Sequence, residues 1–159
     1  MNYNTNIIEV FIATPKKFDW YKKAFNYFEV NLNARWYWNS GAFIGGFWYL
    51  LFRKDLKSAL MILFIELILG AVLSLKIFLL IFLLISILIG GFGTFFIYRK
   101  YKKDRAGIEA MFQDTAKRIG VISIIGGVNP IAYYAGIFSM LSLLLILIGL
   151  LMITLQSTP

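Results

Sequence analysis

The chain has 159 residues, of which 60% are hydrophobic, and its mean hydropathy is +0.75. This composition is far more apolar than that of an ordinary soluble domain and indicates a membrane protein. Lysine and arginine outnumber the acidic residues by 16 to 8, and the sequence contains neither cysteine nor histidine. Disulfides, thiolate or imidazole catalysis and soft-metal sites are therefore excluded, and we expect no metal and no cofactor.

Residues 1–35 form the first predicted segment, a cytoplasmic amphipathic region without the pattern of a cleavable signal peptide. Thr14 followed by Pro15 is a typical helix start, with Thr as the N-cap and Pro at the first helical position. The helix that follows carries aromatic residues on one face and lysines elsewhere; the aromatic residues are Phe18, Tyr21, Phe25 and Phe28. Such a face suits either a membrane surface or packing on the protein's own cytoplasmic parts, and the sequence leaves both possibilities open.

Residues 36–57 contain a short apolar stretch, Trp36–Phe52, which ends in a basic cluster. If the stretch crosses the bilayer, this cluster and the one at 99–118 both face outward. If it dips in and returns, fifteen of the sixteen basic side chains are cytoplasmic and Lys76 alone is outside. The positive-inside rule favours the second topology, and the polar and glycine residues of the stretch weaken a lipid-facing helix. We therefore predict a re-entrant or interfacial aromatic segment.

Residues 58–98 contain two long apolar runs. The first, Ser58–Leu75, carries a single charge at Glu66, and the second, Ile77–Tyr98, carries none. Runs of 18 or more apolar residues predict spanning helices, so we expect a transmembrane hairpin that turns at Lys76.

Residues 99–130 are strongly basic as far as Arg118, and an apolar stripe at helical spacing runs through residues 107–125. This pattern predicts an amphipathic helix on the cytoplasmic surface. Residues 131–159 carry no charge and predict a last spanning helix with a short external tail. The predicted fold is thus all-α, with three transmembrane helices, a re-entrant segment, two amphipathic cytoplasmic helices and a cytoplasmic N-terminus.

Glu66 is a candidate functional residue because an ionisable group inside a spanning helix costs about 3 kcal/mol to insert. Ser86 lies as many residues after Lys76 as Glu66 lies before it, and Ser142 lies near the middle of the last span. We predict an intramembrane polar layer of Glu66, Ser86 and Ser142, in which one of the serines hydrogen-bonds the neutral carboxyl group.

Small residues share one face of each helix in the predicted hairpin. On the first helix these are Ala59, Gly70 and Ser74, and on the second they are Gly90 and Thr94. Small side chains let another helix approach closely, so we expect these faces to form helix-packing surfaces.

The stretches WYKKAFNYFEVN (Trp20–Asn31) and NSGAFIGGFWYLLFRK (Asn39–Lys54) resemble the HrgC-like family of small uncharacterised bacterial inner-membrane proteins. The matching motif positions are Asn39, Ala42, Phe43, Gly45 or Gly46, Trp48, Arg53 and Lys54, whereas Ser40-Gly41 and Phe52 depart from the family's pattern. The motif covers about a quarter of the chain, and beyond it only the hydropathy layout is similar. It implies a multi-pass protein of the bacterial cytoplasmic membrane, and it implies no activity and no catalytic residue.

The sequence predicts no enzyme, because no paired carboxylates and no serine–lysine pair occur at membrane depth. We expect the basic clusters to contact anionic lipids and not nucleic acid. The function we predict is that of an accessory or scaffold protein, which binds other membrane subunits or a second copy of itself through its small-residue faces. The alternative is a small transporter or channel component that uses Glu66 for proton or cation coupling.

Overall fold

The computed structural model describes residues 3–31 and 33–156, which form helices and no strand. The helices are α1 (Tyr3–Ile12), α2 (Phe18–Asn31), α3 (Ser40–Phe52), α4 (Leu56–Val72), α5 (Leu75–Met111), α6 (Thr115–Ile125) and α7 (Pro130–Gln156), with a 3₁₀ turn at Pro15–Lys17 before α2. The predicted all-α class is confirmed.

Side chains of Asn and Asp start four of the helices, among them α7, where Asn129 accepts from the Ile131 amide. Asn39 accepts from the Ala42 amide at the start of α3, Asp55 from Ser58 at the start of α4, and Asp114 from Ala116 at the start of α6. Each bond satisfies an amide that has no partner within its helix. Thr14 does precede a helical turn, as predicted, but its hydroxyl donates to the Ile12 carbonyl and caps nothing.

Two stretches are long and apolar enough to cross a membrane, α5 and residues 115–146, which include α6 and part of α7. The remaining predicted span, the apolar run Ser58–Leu75, corresponds to α4, which has only 17 residues. At 1.5 Å per residue α4 is about 26 Å long, against about 30 Å for the hydrocarbon core. The structure therefore shows two candidate spans where we predicted three.

The turn between α4 and α5 lies at Leu73 and Ser74, both of extended backbone conformation, and not at Lys76. Lys76 belongs to the first turn of α5. The pairing of the two helices shifts accordingly, so that Gly70 on α4 faces the ring of Phe78 on α5.

Helix α5 continues without a break past Tyr98, where we expected the hairpin to end. Within residues 99–111 the pairs Lys100–Asp104 and Arg105–Glu109 are each four residues apart with 2.7 Å between charged atoms, an arrangement that supports the helix. The apolar stripe predicted across 107–125 is divided between the end of α5 and α6, because Asp114 starts a new helix.

The buried core belongs to the part of the chain that we call the aromatic body: α1, α2, α3, residues 89–111 of α5 and α6. Phe28 on α2 is completely buried, and the ring centres of Tyr37, Phe95 and Tyr98 lie 5.4–5.9 Å from its own. Tyr21 and Phe25 are buried beside it. The aromatic face of α2 therefore packs on the protein itself, which decides between the two possibilities that the sequence left open.

Helix α7 begins beside the aromatic body and extends away from it. The Asn129 amide before the helix donates to the Phe52 carbonyl at 2.7 Å, and the Trp48 side chain packs on Gly136. Beyond Met140 the described leucine and isoleucine side chains of α7 are all exposed. The described side chains of this part of the helix form no core.

Candidate functional site

The residues before α3 lie across the glycines of α5. The amides of Tyr37 and Asn39 donate to the carbonyls of Gly91 and Gly90 at 2.9 and 2.8 Å. The Trp36 ring would be 2.3 Å from a Cβ atom at Gly91, so only glycine permits this approach. The aromatic segment therefore packs on the small residues Gly90 and Gly91 of α5.

Helix α3 is sharply kinked at Gly46, whose φ of 51° and ψ of −132° are outside the helical region and favour glycine. Asn39 and Tyr49 lie on either side of this kink, and in a straight helix their Cα atoms would be about 15 Å apart. The Asn39 amide nitrogen instead donates to the Tyr49 hydroxyl at 2.9 Å. The kink therefore brings the two halves of the segment close enough for these side chains to bond.

Asn39 is the centre of a buried polar network. Its Nδ2 also donates to the Thr94 hydroxyl of α5 at 3.1 Å, and the Tyr49 hydroxyl lies 2.9 Å from that of Tyr21 on α2. All four side chains are buried. Because buried polar groups are costly when unpaired, this network fixes the relative positions of α2, α3 and α5.

Arg53 follows α3 directly and is only 4% exposed. Its Nη1 donates to the Ile12 carbonyl at 2.9 Å and to the Thr14 hydroxyl at 3.2 Å, and its guanidinium carbon lies 4.5 Å from the centre of the Tyr21 ring. Its Nε is buried and has no hydrogen-bond partner among the described residues. Within the same ranges, none of the eight acidic side chains forms an ion pair with Arg53.

A cavity of about 400 Å³ lies between the turn before α2, α3 and the first part of α7. Its polar lining is grouped near Arg53 and includes Thr14, Lys17 and Tyr21, whereas the wall along α7 is almost wholly apolar. The apolar wall consists of Ile44, Trp48, Phe52, Ala132, Ile137 and Met140, together with Tyr133 and Gly136. The cavity has the size and the mainly apolar lining of a small-molecule site.

A second polar cluster joins α2 to the basic part of α5. Glu29 accepts hydrogen bonds from the Tyr98 hydroxyl and, at 3.0 Å, from the Lys102 ammonium group. These two donors hold the pKa of Glu29 below its ordinary value. In the described part of the chain no group of three or more acidic side chains could hold a metal ion. The cluster is best described as a surface ion pair that fastens α2 to α5.

The predicted intramembrane polar layer is not joined by hydrogen bonds. Glu66 and Ser86 are both buried, but in the described ranges no hydrogen bond links Glu66 to Ser86 or Ser142. The turn at Leu73–Ser74 puts Ser86 about five residues, or roughly 7 Å along the axis, beyond the level of Glu66. Ser142 is half-buried on α7, which packs mainly on α3.

The small-residue faces also pack differently from our expectation. Gly90 lies under Trp38 and Phe43, each 2.9 Å from the place of a Cβ atom, and Thr94 bonds Asn39. The stripe of α5 therefore contacts the aromatic segment and not the matching stripe of α4. On α4, Ala59 is fully buried, and Gly70 is exposed and lies beside the Phe78 ring. Ser74 precedes α5 as its N-cap residue without a side-chain bond.

Apart from Gly45 and Gly46, the motif positions of the aromatic segment contact other elements. Ala42 is fully buried against Gly93, and the Lys54 ammonium group donates to the Ile124 carbonyl at the end of α6. Tyr21, Tyr49 and Lys17 also contribute to the site, and we did not predict them. Tyr21 was visible only as one member of the aromatic face of α2, and no pattern in the sequence distinguished Tyr49 from the other aromatic residues.

Comparison with protein families, with curated proteins and with solved structures finds no match for this chain. The resemblance to the HrgC-like family remains a prediction.

Proposed function

We propose that the chain is a non-enzymatic accessory or scaffold protein of the bacterial cytoplasmic membrane. In this arrangement the aromatic body lies at the cytoplasmic face, with the N-terminus inside. The α4–α5 hairpin and α7 enter the bilayer, and residues 36–57 form an interfacial segment that does not cross. The basic residues around the body would contact anionic headgroups.

The exposed apolar helices carry this proposal. Leu67 on α4 is 62% exposed and Leu145 on α7 is 70% exposed. Among the described helices, α7 packs extensively on α3 alone and shares no such interface with the hairpin. Both sets of side chains therefore need lipid or partner helices to cover them. The partner surface differs from the one we first expected, because the small residues of α5 are already covered within the chain.

Cysteine labelling from outside intact cells tests the topology, since the native chain has no cysteine. Lys57, Lys76 and Lys103 are exposed and suit substitution, whereas Asp55 is buried and caps α4. We expect a membrane-impermeant maleimide to label Lys76→Cys and to leave the other two unlabelled until the cells are opened. External labelling of Lys57→Cys would mean that residues 36–52 cross the membrane.

Photo-crosslinking tests the scaffold role. A photoreactive amino acid at Leu67 or Leu145, in the organism that encodes the chain, should give a discrete protein adduct from at least one of the two helices. The same amino acid at Phe28, which is completely buried, is the control and should give no adduct with another protein. Adducts with lipid alone at both exposed positions would contradict a scaffold role.

The second candidate function is a transporter or channel component. One observation favours it: Glu66 is buried and makes no hydrogen bond with any described side chain. Proton flux is measured in proteoliposomes that contain the protein. A flux that is lost in Glu66→Gln would support coupling through this carboxyl group. In a scaffold that uses Glu66 for packing, Glu66→Gln should bind partners better than Glu66→Leu, and neither should change the flux.

A further inference from the structure

We propose that the cavity between α3 and α7 binds one anionic phospholipid, with its phosphate at Arg53 and Lys17 and one acyl chain along α7. The inference depends on the proposed membrane location and not on the scaffold role.

Arg53 is the first reason to expect an anion. A guanidinium that is 4% exposed normally has a carboxylate partner, because an unpaired buried charge is strongly unfavourable. Here only neutral groups surround it, namely the Ile12 carbonyl, the hydroxyls of Thr14 and Tyr49, and the Tyr21 ring. Its Nε has no partner in the described part of the protein. Arginine presents several N–H donors in a planar fork that suits phosphate.

The shape of the cavity is the second reason. Its polar lining lies near the start of α7, where Phe52 and Tyr133 pack with ring centres 5.8 Å apart. From there the cavity follows α7 as far as Met140, that is, towards the part of the helix that we place in the bilayer. An anionic head with an apolar tail matches both ends at once.

Lys17 supplies the third reason. It lines the cavity at its polar end, and it forms no ion pair with any acidic side chain of the described ranges. Two cations beside an apolar cleft complement the charge of a phosphate diester. Free phosphate would not use the apolar wall, so a lipid of the cytoplasmic leaflet is the occupant that the lining favours.

The proposal is tested by measuring which phospholipid stays bound to the protein after extraction. The protein is reconstituted in vesicles of equal phosphatidylglycerol and phosphatidylcholine, extracted in mild detergent and weighed intact by native mass spectrometry. We expect one retained phosphatidylglycerol per chain, at least about fivefold in excess over phosphatidylcholine, which is the selectivity that one or two cations provide. Equal retention of the two lipids would overturn the proposal.

Neighbouring lysines provide a matched pair of variants. Both lysines are exposed. Lys17→Gln removes the cation that lines the cavity, and Lys16→Gln removes a cation that does not line it. Because neither side chain makes a described hydrogen bond, both variants should fold. Lys17→Gln should lower phosphatidylglycerol retention about fivefold, while Lys16→Gln should leave it unchanged. An equal loss in both variants would indicate non-specific surface charge.

The apolar wall has its own control. Ile137→Trp fills the cavity and should abolish retention, whereas Ile148→Trp lies on α7 away from the cavity and should not. A shift of the melting temperature by inorganic phosphate as large as that by phosphatidylglycerol would reveal an anion site without a lipid role, and would also overturn the proposal. Failure of the crosslinking at Leu67 and Leu145 would refute the scaffold role and leave this result intact.

Discussion

The aromatic body and the apolar helices that leave it place their apolar side chains in different surroundings. Phe28 in the body is completely buried, and Leu67 on α4 is 62% exposed. The body is rich in aromatic rings, which combine a large apolar area with specific edge-to-face packing. The helices are rich in leucine and isoleucine, for which lipid is as good a solvent as another helix.

The aromatic body and the apolar helices also differ in the number of hydrogen bonds between their elements. The body is joined by hydrogen bonds between distant elements, such as Asn39 to Thr94 and Arg53 to Ile12. In the α4–α5 hairpin, Asp55 caps the start of α4. No side-chain hydrogen bond joins α4 to α5 in the described ranges. The body should therefore unfold cooperatively, while the hairpin depends on the bilayer.

Phe28→Ala should have the largest effect on stability. The change removes a completely buried ring from the contacts with Tyr37, Phe95 and Tyr98, which costs about 3–5 kcal/mol of unfolding free energy. Leu67→Ala is the control and should cost under about 1 kcal/mol, because its side chain is largely exposed. Denaturant unfolding in micelles, followed by tryptophan fluorescence, measures both variants. Equal losses would mean that the hairpin is as tightly packed as the body.

Asn39→Ala should destabilise the body by about 2–4 kcal/mol. It removes the donor shared by Tyr49 and Thr94, leaves their hydroxyls without this partner, and removes the N-cap of α3. Asn26→Ala on the exposed side of α2 is the matched control and should be nearly neutral. The same unfolding experiment distinguishes the two, and a neutral Asn39→Ala would show that the network does not hold the segment on α5.

Gly93→Ala should cost about 1–3 kcal/mol, because the new methyl group would lie 2.9 Å from the buried Ala42 methyl group. Gly107→Ala, farther along the same helix, has open space and should gain up to about 1 kcal/mol from helix propensity. Thermal melting by circular dichroism compares the two variants. Opposite signs would confirm that α3 packs on the glycines of α5.

Glu29 should produce the smallest effect and a dependence on pH. Its pKa is lower in the folded state, so the ionised carboxylate stabilises the fold above the ordinary pKa of 4.5, and this stabilisation is lost as the pH falls through the lower folded pKa. Because the side chain is 57% exposed, we expect under about 0.5 kcal/mol. Glu29→Gln should remove this pH dependence, as measured by melting between pH 3 and pH 6; an unchanged slope would assign it to other carboxylates.

Much of the local structure could be read from single residues and short patterns. The helical class follows from long apolar runs, and the aromatic face of α2 from the spacing of Tyr21, Phe25 and Phe28. The short, glycine-containing stretch at 36–52 indicated an element unlike a spanning helix, and the structure shows a kinked helix there. One error concerns where α4 ends, since Leu73 and Ser74 carry no turn signal that outweighs Lys76. The other concerns which helix faces meet, since the small residues of α5 pack on the aromatic segment.

The candidate site was only partly visible for a similar reason. The sequence drew attention to Glu66 because one charge in an apolar run is easy to see, whereas Arg53 looked like an ordinary flanking cation. Its burial depends on Ile12, Thr14 and Tyr21, which are all more than thirty residues away in the chain. No local pattern encodes such a contact.

The helical class and the apolar character of α5 and α7 follow from the sequence alone, because these properties depend on residues within one or two turns of each other. Contacts between distant segments place Trp36 and Trp38 on the glycines of α5 and bury Arg53 beside a cavity, and α3 is kinked at Gly46 between them. These outcomes depend on close packing between distant segments, where the absence of a single methyl group allows two backbones to approach.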